Sequence, residues 1–152
     1  MKFYTKYCNY NNYGFPIYQK SEHSFDFEPW PNSDFSLMLG TSYMSLEVNL
    51  SNCRVLHLSG FNSISTWKKN KVNIPNFKKG SLFIEKDEPF ISGMGIEIDF
   101  ELVTIYDKQS GWIRIGSDYK SDTCQYIMFA NNTIAALDNM KIVTIWIKPI
   151  FI

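Results

Sequence analysis

The chain has 152 residues, of which 45% are hydrophobic and 16% aromatic, and its 15 basic side chains balance its 15 acidic ones. This composition excludes an intrinsically disordered protein, and a chain of this length buries roughly two thirds of its unfolded surface on folding. A formal net charge of zero gives no overall attraction to nucleic acid or to an anionic membrane. We therefore expect a single soluble domain over residues 1–152.

The compartment follows from the N-terminus and the cysteines. Lys6 and several asparagines interrupt the first residues, so no apolar run has the length that a signal peptide needs, and no stretch is long enough for a membrane-spanning helix. The three cysteines, Cys8, Cys53 and Cys124, are widely separated and form no C-x-x-C pair. This spacing predicts reduced thiols rather than disulfides or a zinc site. We expect a cytoplasmic protein without a metal or other cofactor.

The first 35 residues show no sustained periodicity. Tyrosines recur there among asparagines and glycines, at positions 4, 7, 10, 13 and 18. A strand would show a period of two and a helix a period near 3.6. We therefore predict that residues 1–35 are irregular and wrap around the remaining structure.

A first hairpin is predicted from residue 44 onwards. Met44, Leu46 and Val48 alternate with polar residues, which is typical of a strand with one buried face. Ser51 and Asn52 can turn the chain, and residues 53–58 form the antiparallel return. Residues 62–70 contain candidate helix N-cap residues, but the segment is short and rich in β-branched residues. The sequence therefore leaves open whether a short helix forms there.

A second hairpin is predicted after a short strand at residues 81–85. Over residues 96–102, four apolar side chains alternate with the carboxylates of Glu97, Asp99 and Glu101, which places the two groups on opposite faces of one strand. Residues 107–111 are polar and end in glycine, as hairpin loops do. The strand resumes at residues 112–115.

Two further strands complete the prediction. Residues 124–130 and 141–148 are separated by a turn at Asn131 and Asn132, and the last strand is apolar on both faces, so it should be central or covered. Short strands with frequent turn signals and no long helix predict a mainly β fold. We expect an antiparallel sandwich, barrel or strongly curved sheet of six to eight strands, with at most one or two short helices.

Catalytic motifs are absent from the sequence. It contains no G-x-S-x-G, H-E-x-x-H, P-loop or G-x-G-x-x-G pattern. Cys53 and His57 would allow a cysteine–histidine pair, but a strand histidine that faces solvent or is satisfied by a neighbour is favoured. His23 lies in a polar segment and needs no special role. We expect a protein that is not an enzyme and has no catalytic residues.

Charge is strongly segregated along the chain. Residues 48–84, the basic block, contain six basic side chains and no acid, whereas residues 85–107, the acidic block, contain seven acids and one lysine. The two blocks either neutralise each other in the fold or leave an acidic patch for a cationic partner. The candidate partner-binding residues are Glu85, Asp87, Glu88, Glu97, Asp99 and Glu101.

The alternating carboxylates of the acidic block allow three interpretations. Strand neighbours two apart lie roughly 6.5 to 7 Å apart, too far for one metal to bind Glu97, Asp99 and Glu101 together. A solvated face, a recognition surface for a basic partner and a catalytic carboxylate pair remain. The first two are favoured, because nothing else in the sequence marks a cleft.

Aromatic and basic residues are interleaved in residues 67–71 (WKKNK) and 77–79 (FKK), as they are in proteins that bind single-stranded nucleic acid. Arginine is rare and no RNA-binding motif is present, so we favour a solvated basic loop and expect no direct contact with nucleic acid. Trp30 and Trp112 are interpreted as core or hairpin aromatics. An exposed row of Trp30, Trp67 or Trp112 beside a groove would instead favour carbohydrate binding.

Three segments, residues 93–100 (GMGIEIDF), 111–116 (GWIRIG) and 142–149 (IVTIWIKP), prompt a comparison with a known class. A small, β-rich chain without a catalytic motif and with unevenly distributed charge resembles immunity proteins of contact-dependent growth inhibition and related bacterial polymorphic toxin systems. The resemblance implies a protein that binds a cognate toxin protein domain, often a nuclease, and blocks it by surface complementarity. It transfers no site residues, so the acidic candidates come from charge order alone.

Three other classes of function remain open. A β-sandwich module could bind carbohydrate or another small ligand through tryptophan or tyrosine faces. An enzyme without a readable motif and a phage or structural assembly protein are the remaining alternatives. Clustering of His57 with a cysteine and a carboxylate would favour the enzyme.

Overall fold

The computed structural model describes residues 1–8, 13–118 and 121–152, and their regular structure is almost entirely β. One short 3₁₀ helix, Ile64–Thr66, accompanies the strands. No described segment forms a helix long and apolar enough to cross a membrane. The fifteen strands are β1 (Phe3–Tyr7), β2 (Phe15–Gln19), β3 (Ser24–Glu28), β4 (Phe35–Leu39), β5 (Met44–Asn49), β6 (Arg54–Phe61), β7 (Lys68–Lys69), β8 (Lys78–Ile84), β9 (Gly95–Ile98), β10 (Thr104–Tyr106), β11 (Ile113–Gly116), β12 (Gln125–Ala130), β13 (Thr133–Asp138), β14 (Lys141–Ile147) and β15 (Ile150–Phe151).

The strands form one strongly curled, open sheet. Its main path runs β15-β2-β3-β6-β8-β12-β13-β14-β11-β10-β7, while β1 pairs with β8, β5 with β6, β4 with β5 and β9 with β4. Most neighbours are antiparallel; β7 with β10, β8 with β12, β9 with β4 and β15 with β2 are parallel. Strand β8 joins two halves, because Lys78 and Lys79 pair with β12 and its later residues pair with β1 and β6. The first half holds β1–β6, β9 and β15, and the second holds β7 and β10–β14.

Both halves turn one face toward a common apolar core. In the first half Met44, Leu46 and Val48 of β5 are fully buried, and in the second half Ile113 and Ile145 are fully buried as well. The three β5 residues occupy alternate positions because successive side chains in a strand point to opposite faces. Burial of each such side chain stabilises the fold by roughly 1.5–3 kcal/mol.

A separate segment covers the outer face of the second half. Residues 70–77, which we call the strap, run from β7, beside β10, to β8, beside β12. Val72 of the strap is buried in a second apolar cluster with Ile134 and Trp146. The Val72 N–H donates to Asp107 Oδ2 at 3.2 Å, and this bond, with others from the 107–110 turn, holds the pKa of Asp107 below its usual range. The strap is therefore fixed at both ends and at one point between them.

The predictions made from periodicity are confirmed where strands pair locally. Strands β5 and β6 form the first hairpin, and residues 107–111 form the loop of the second, where the Asp107 N–H donates to the Trp112 carbonyl at 3.0 Å. Strand β14 lies between β13 and β11, with its outer face under the strap, as its two apolar faces predict. The mainly β class and the strong curvature are confirmed too.

The number of strands and the description of the N-terminal region are wrong. The described part of the chain has fifteen strands instead of the predicted six to eight. Within residues 1–35, β1, β2 and β3 build the first half of the sheet, although residues 9–12 lie outside the described residues. In β3, Phe25 and Phe27 do alternate with polar residues, but over five residues only. In residues 62–70, where the sequence left a short helix open, the structure has a single 3₁₀ turn.

The strand predicted over residues 96–102 is also shorter than expected. Strand β9 ends at Ile98, and the hairpin with β11 is formed by β10 instead. The reason is that β9 pairs in parallel with β4, which ends at Leu39. The Gly40 N–H donates to the Ile98 carbonyl at 2.9 Å and closes this pairing. Asp99 and Glu101 therefore lie in the connection between β9 and β10.

Candidate functional site

The six predicted partner-binding carboxylates are all exposed. Glu85, Asp87 and Glu88 lie between β8 and β9, Glu97 lies on β9, and Asp99 and Glu101 follow it. None of these side chains has a hydrogen bond or ion pair with another described residue. The ion pair found within the described ranges joins Arg114 to Asp118, outside this set. Direct contacts with other described residues therefore do not compensate the six negative charges.

The structure brings two separate parts of the acidic block together. One cavity of about 360 Å³, which we call the acidic groove, is lined by four of the six carboxylates: Asp87, Glu88, Glu97 and Asp99. Ile96, Ile98 and Lys141 line it as well. A neighbouring cavity of about 470 Å³ shares Asp99 and Lys141 and adds Glu101 and Asp138. Glu85 lines neither cavity. Sequence reasoning missed Asp138, because it belongs to β13 and lies far from the acidic block along the chain.

Exposed apolar side chains lie near the groove carboxylates along the chain. Ile91 is 65% exposed and Met94 58% exposed just before β9, and Leu102 is exposed just after Glu101. Within the described chain β9 pairs with β4 alone, so its other edge is unpaired. Exposed apolar patches rimmed by charge mark interaction surfaces, although charges on an edge strand also discourage unwanted strand pairing. This surface can accept cations, make apolar contacts and offer backbone groups.

None of the lysines of the basic block lines the acidic groove. Lys68 and Lys69 lie on β7, Lys71 on the strap, and Lys78 and Lys79 at the start of β8, all of them exposed. Over the described ranges of the chain, none forms an ion pair with the acidic block. Trp67 is buried against Tyr18 and Phe25 and cannot stack on a nucleic-acid base. The solvated basic segment is thus the better description of these lysines.

His57 lies in a second polar region on the first half of the sheet. It is fully buried, its Nδ1 lies 3.3 Å from the Leu58 carbonyl oxygen, and its Nε2 has no hydrogen-bond partner among the described residues. Burial holds the pKa of His57 below its usual value. The Cys53 thiol bonds to the Leu50 carbonyl instead of the imidazole. The cysteine–histidine pair considered from the sequence is therefore not formed, and His57 serves as a packed, neutral ring.

Glu47 is a buried carboxylate that sequence reasoning placed on a polar face. It is 8% exposed, and three hydroxyls donate to it: Ser45 Oγ and Ser59 Oγ to Oε1 at 2.6 and 3.1 Å, and Ser36 Oγ to Oε2 at 2.9 Å. It is the cross-strand partner of His57. The available signal was the set of serines at polar positions of neighbouring strands. Burial of a carboxylate is costly unless it is hydrogen-bonded, and these three hydroxyls meet that need. We therefore interpret Glu47 and its serines as a structural network.

The tryptophans do not form a row. Trp30 is 53% exposed and lies outside the strands, so its interpretation as a core or hairpin aromatic is wrong. It lies beside an open cavity of about 510 Å³ lined also by Asp26 and Glu28. Its ring covers His57 edge-on at 4.5 Å between centroids. Trp112 is half-buried against the second apolar cluster. Only Trp30, among the three tryptophans considered, presents an exposed face beside a cavity.

Neither metal ligands nor known relatives point to a function. The described residues contain no group of three or more His, Cys, Asp or Glu side chains placed to hold a metal ion. The cysteines are free thiols. No protein-family model matches the chain, and a search of the curated proteins finds no match.

Proposed function

We propose that this protein binds a cationic protein partner through the acidic groove and the exposed apolar side chains near it in the chain. The observation that carries the proposal is that Asp87, Glu88, Glu97 and Asp99, from two separate segments, line one groove without any hydrogen-bond or ion-pair partner among the described residues. In its specific form the proposal is an immunity-type protein that neutralises a cognate toxin domain without catalysis of its own.

Electrostatics explains why such a surface favours a protein partner. Carboxylates without a protein partner keep their charge directed toward solvent, so they attract lysine and arginine side chains and accelerate encounter. Contact then forms charge-assisted hydrogen bonds, while Ile91, Met94 and Leu102 supply apolar area. A nuclease domain is a fitting partner, because its substrate groove must be basic to bind phosphate.

Native purification with quantitative mass spectrometry identifies the partner. We expect one protein in stoichiometric amount, encoded beside this gene, that inhibits growth when expressed alone and is harmless when co-expressed with this chain. A stoichiometric partner that is not toxic would contradict neutralisation. Recovery of the chain alone, together with no toxic product from the flanking genes, would overturn the immunity-type function.

A charge-reversal variant tests the surface. Glu97→Lys, Asp99→Lys and Glu101→Lys combined should greatly weaken capture of that partner, because like charges then face each other. The matched control reverses three exposed carboxylates outside both acidic cavities, Glu22, Glu28 and Asp122, with the same change in net charge. Equal capture by both variants would show that net charge, or another surface, governs binding.

A ligand-binding module is the second candidate function, and Trp30 is the observation that favours it. Its exposed ring beside Asp26 and Glu28 could stack on a sugar whose hydroxyls bond to the carboxylates. A glycan array with wild type and Trp30→Ala tests it. Binding that Trp30→Ala abolishes supports this candidate, and an array without any specific signal argues against it.

A further inference from the structure

A further cavity lies between the strap and the outer face of the second half of the sheet. It measures about 440 Å³ and we call it the strap cavity. Lys71, Asn73 and Ile74 line it from the strap, and Arg114, Tyr126 and Trp146 line it from the strands. Its volume falls within the range of small-molecule sites, roughly 300–1,000 Å³.

Two hydrogen-bond donors beside this cavity have no partner in the part of the chain that the structure describes. Arg114 and Trp146 are cross-strand neighbours on β11 and β14. Arg114 Nε and Trp146 Nε1 are both buried and have no hydrogen-bond partner among the described residues, and the whole Trp146 side chain is only 6% exposed. The Arg114 guanidinium also contacts Asp118, through Nη1, at 3.0 Å. The ion pair through Nη1 thus fixes the guanidinium, while Nε makes no hydrogen bond to any described residue.

The chemistry of these groups restricts the occupant. Indole and guanidinium nitrogens donate hydrogen bonds and cannot accept them, so a matching ligand must present acceptors. Arg114 and Lys71 carry two positive charges against the single negative charge of Asp118. The Tyr126 and Trp146 rings, whose centroids lie 5.9 Å apart, provide aromatic surface, and Ile74 adds an apolar wall. An anionic acceptor on a flat apolar body fits all three features.

We propose that the strap cavity binds a small aromatic carboxylate. A shift of the strap exposes Arg114 Nε and Trp146 Nε1, which are buried in this structure, so that both donate hydrogen bonds to the carboxylate of the ligand. The ring of the ligand lies between the strap and the sheet. This site is separate from the acidic groove, because none of the residues that line the strap cavity lines the groove. It is therefore independent of the proposed partner binding.

Amide NMR titrations of the wild-type protein test the site with three probes of similar size: benzoate, the neutral benzamide and the cationic benzylamine. We expect saturable shifts for benzoate, centred on the strap and on Arg114 and Trp146, with affinity about tenfold weaker for benzamide because it lacks the charge. Benzylamine should not bind. Equal affinities for all three probes, shifts centred elsewhere or no saturation with benzoate would overturn the proposal.

Conservative variants test the two donors directly. Trp146→Phe keeps an aromatic ring but removes the N–H, and Arg114→Gln removes the charge; each should weaken benzoate binding about fivefold to tenfold. Lys68→Gln, at an exposed lysine of β7 that does not line the cavity, is the matched control and should bind as wild type. If Trp146→Phe fails to fold, Arg114→Gln and the wild-type shift map decide. Wild-type affinity in the folded variants would contradict the assignment of the donors.

Discussion

The acidic groove and the strap cavity have opposite chemistry. The groove is lined by exposed carboxylates that accept hydrogen bonds, and it lies beside an unpaired strand edge of the described sheet. The strap cavity is lined by donors, and its floor includes Trp146, which the second apolar cluster buries. A formal net charge of zero therefore conceals two concave surfaces of opposite sign. Groove residues are free to serve binding alone, whereas residues beneath the strap also support the fold.

The largest expected loss of stability comes from Trp146→Ala. Removing this buried side chain leaves a void under the strap, and such truncations cost about 3–5 kcal/mol. Urea denaturation monitored by circular dichroism measures the change. Trp30→Ala, at a half-exposed tryptophan, is the matched control and should cost less. Equal losses would contradict the structural role of the strap-covered face.

The next largest effect compares two glutamates on strands. Glu47→Leu leaves the hydroxyls of Ser36, Ser45 and Ser59 without their shared acceptor and should cost about 1–3 kcal/mol. Glu97→Leu changes an exposed carboxylate without a partner among the described residues, so its free energy of unfolding should stay close to that of wild type. Denaturant titrations of both variants decide. A larger loss of stability for Glu97→Leu than for Glu47→Leu would contradict the roles assigned to the two glutamates.

A pH-dependent loss of stability is expected from His57. Burial lowers its pKa in the folded protein, and the carboxylates of Glu47 and Asp26 oppose this only in part. Below about pH 6.5 the unfolded chain therefore binds a proton that the folded chain does not, so the contribution to stability is complete above this pH and decreases as the pH falls. Denaturation midpoints at about pH 7.5 and about pH 5.5 should differ less in His57→Phe than in wild type. The same difference in both proteins would exclude His57 as the cause.

The smallest effect on stability is expected in the acidic groove. The combined Glu97→Lys, Asp99→Lys and Glu101→Lys variant changes exposed side chains, so its free energy of unfolding should stay within about 0.5 kcal/mol of wild type for each substitution. Denaturant titration beside the wild type measures this difference. A loss comparable to that of Trp146→Ala would show that the carboxylates support the fold.

Local periodicity predicted the parts of the fold that depend on neighbouring strands. Met44, Leu46 and Val48 alternate because β5 has one buried face, and the apolar β14 is covered on both sides. The pairing of β9 with β4 could not be predicted, because it joins in parallel two segments that lie far apart in the chain. Because that pairing ends at Ile98, Asp99 lies outside β9, although it was predicted to be in a strand. Non-local pairing, rather than local preference, determined what was missed.

The candidate site was predicted in composition but not in shape. Charge order identified Asp87, Glu88, Glu97 and Asp99, yet only the fold brings Asp138 and Lys141 beside them. The strap cavity gave no signal, because Arg114 and Trp146 lie on separate strands and become neighbours only through the β11–β14 pairing. Alternation along β5 also predicted, wrongly, that Glu47 is exposed. It takes no account of the serines on adjacent strands that donate hydrogen bonds to this carboxylate.

The association rate with the purified partner, measured by stopped-flow fluorescence over a range of salt concentrations, tests recognition through the acidic groove most directly. If the groove recognises a cationic protein, the wild-type rate falls steeply with added salt. The Glu97→Lys, Asp99→Lys and Glu101→Lys variant should associate at least about tenfold more slowly at low salt and lose this dependence. The control reversed at Glu22, Glu28 and Asp122 should remain close to wild type. Identical rates and salt dependence in the wild type and the groove variant would contradict recognition through this surface.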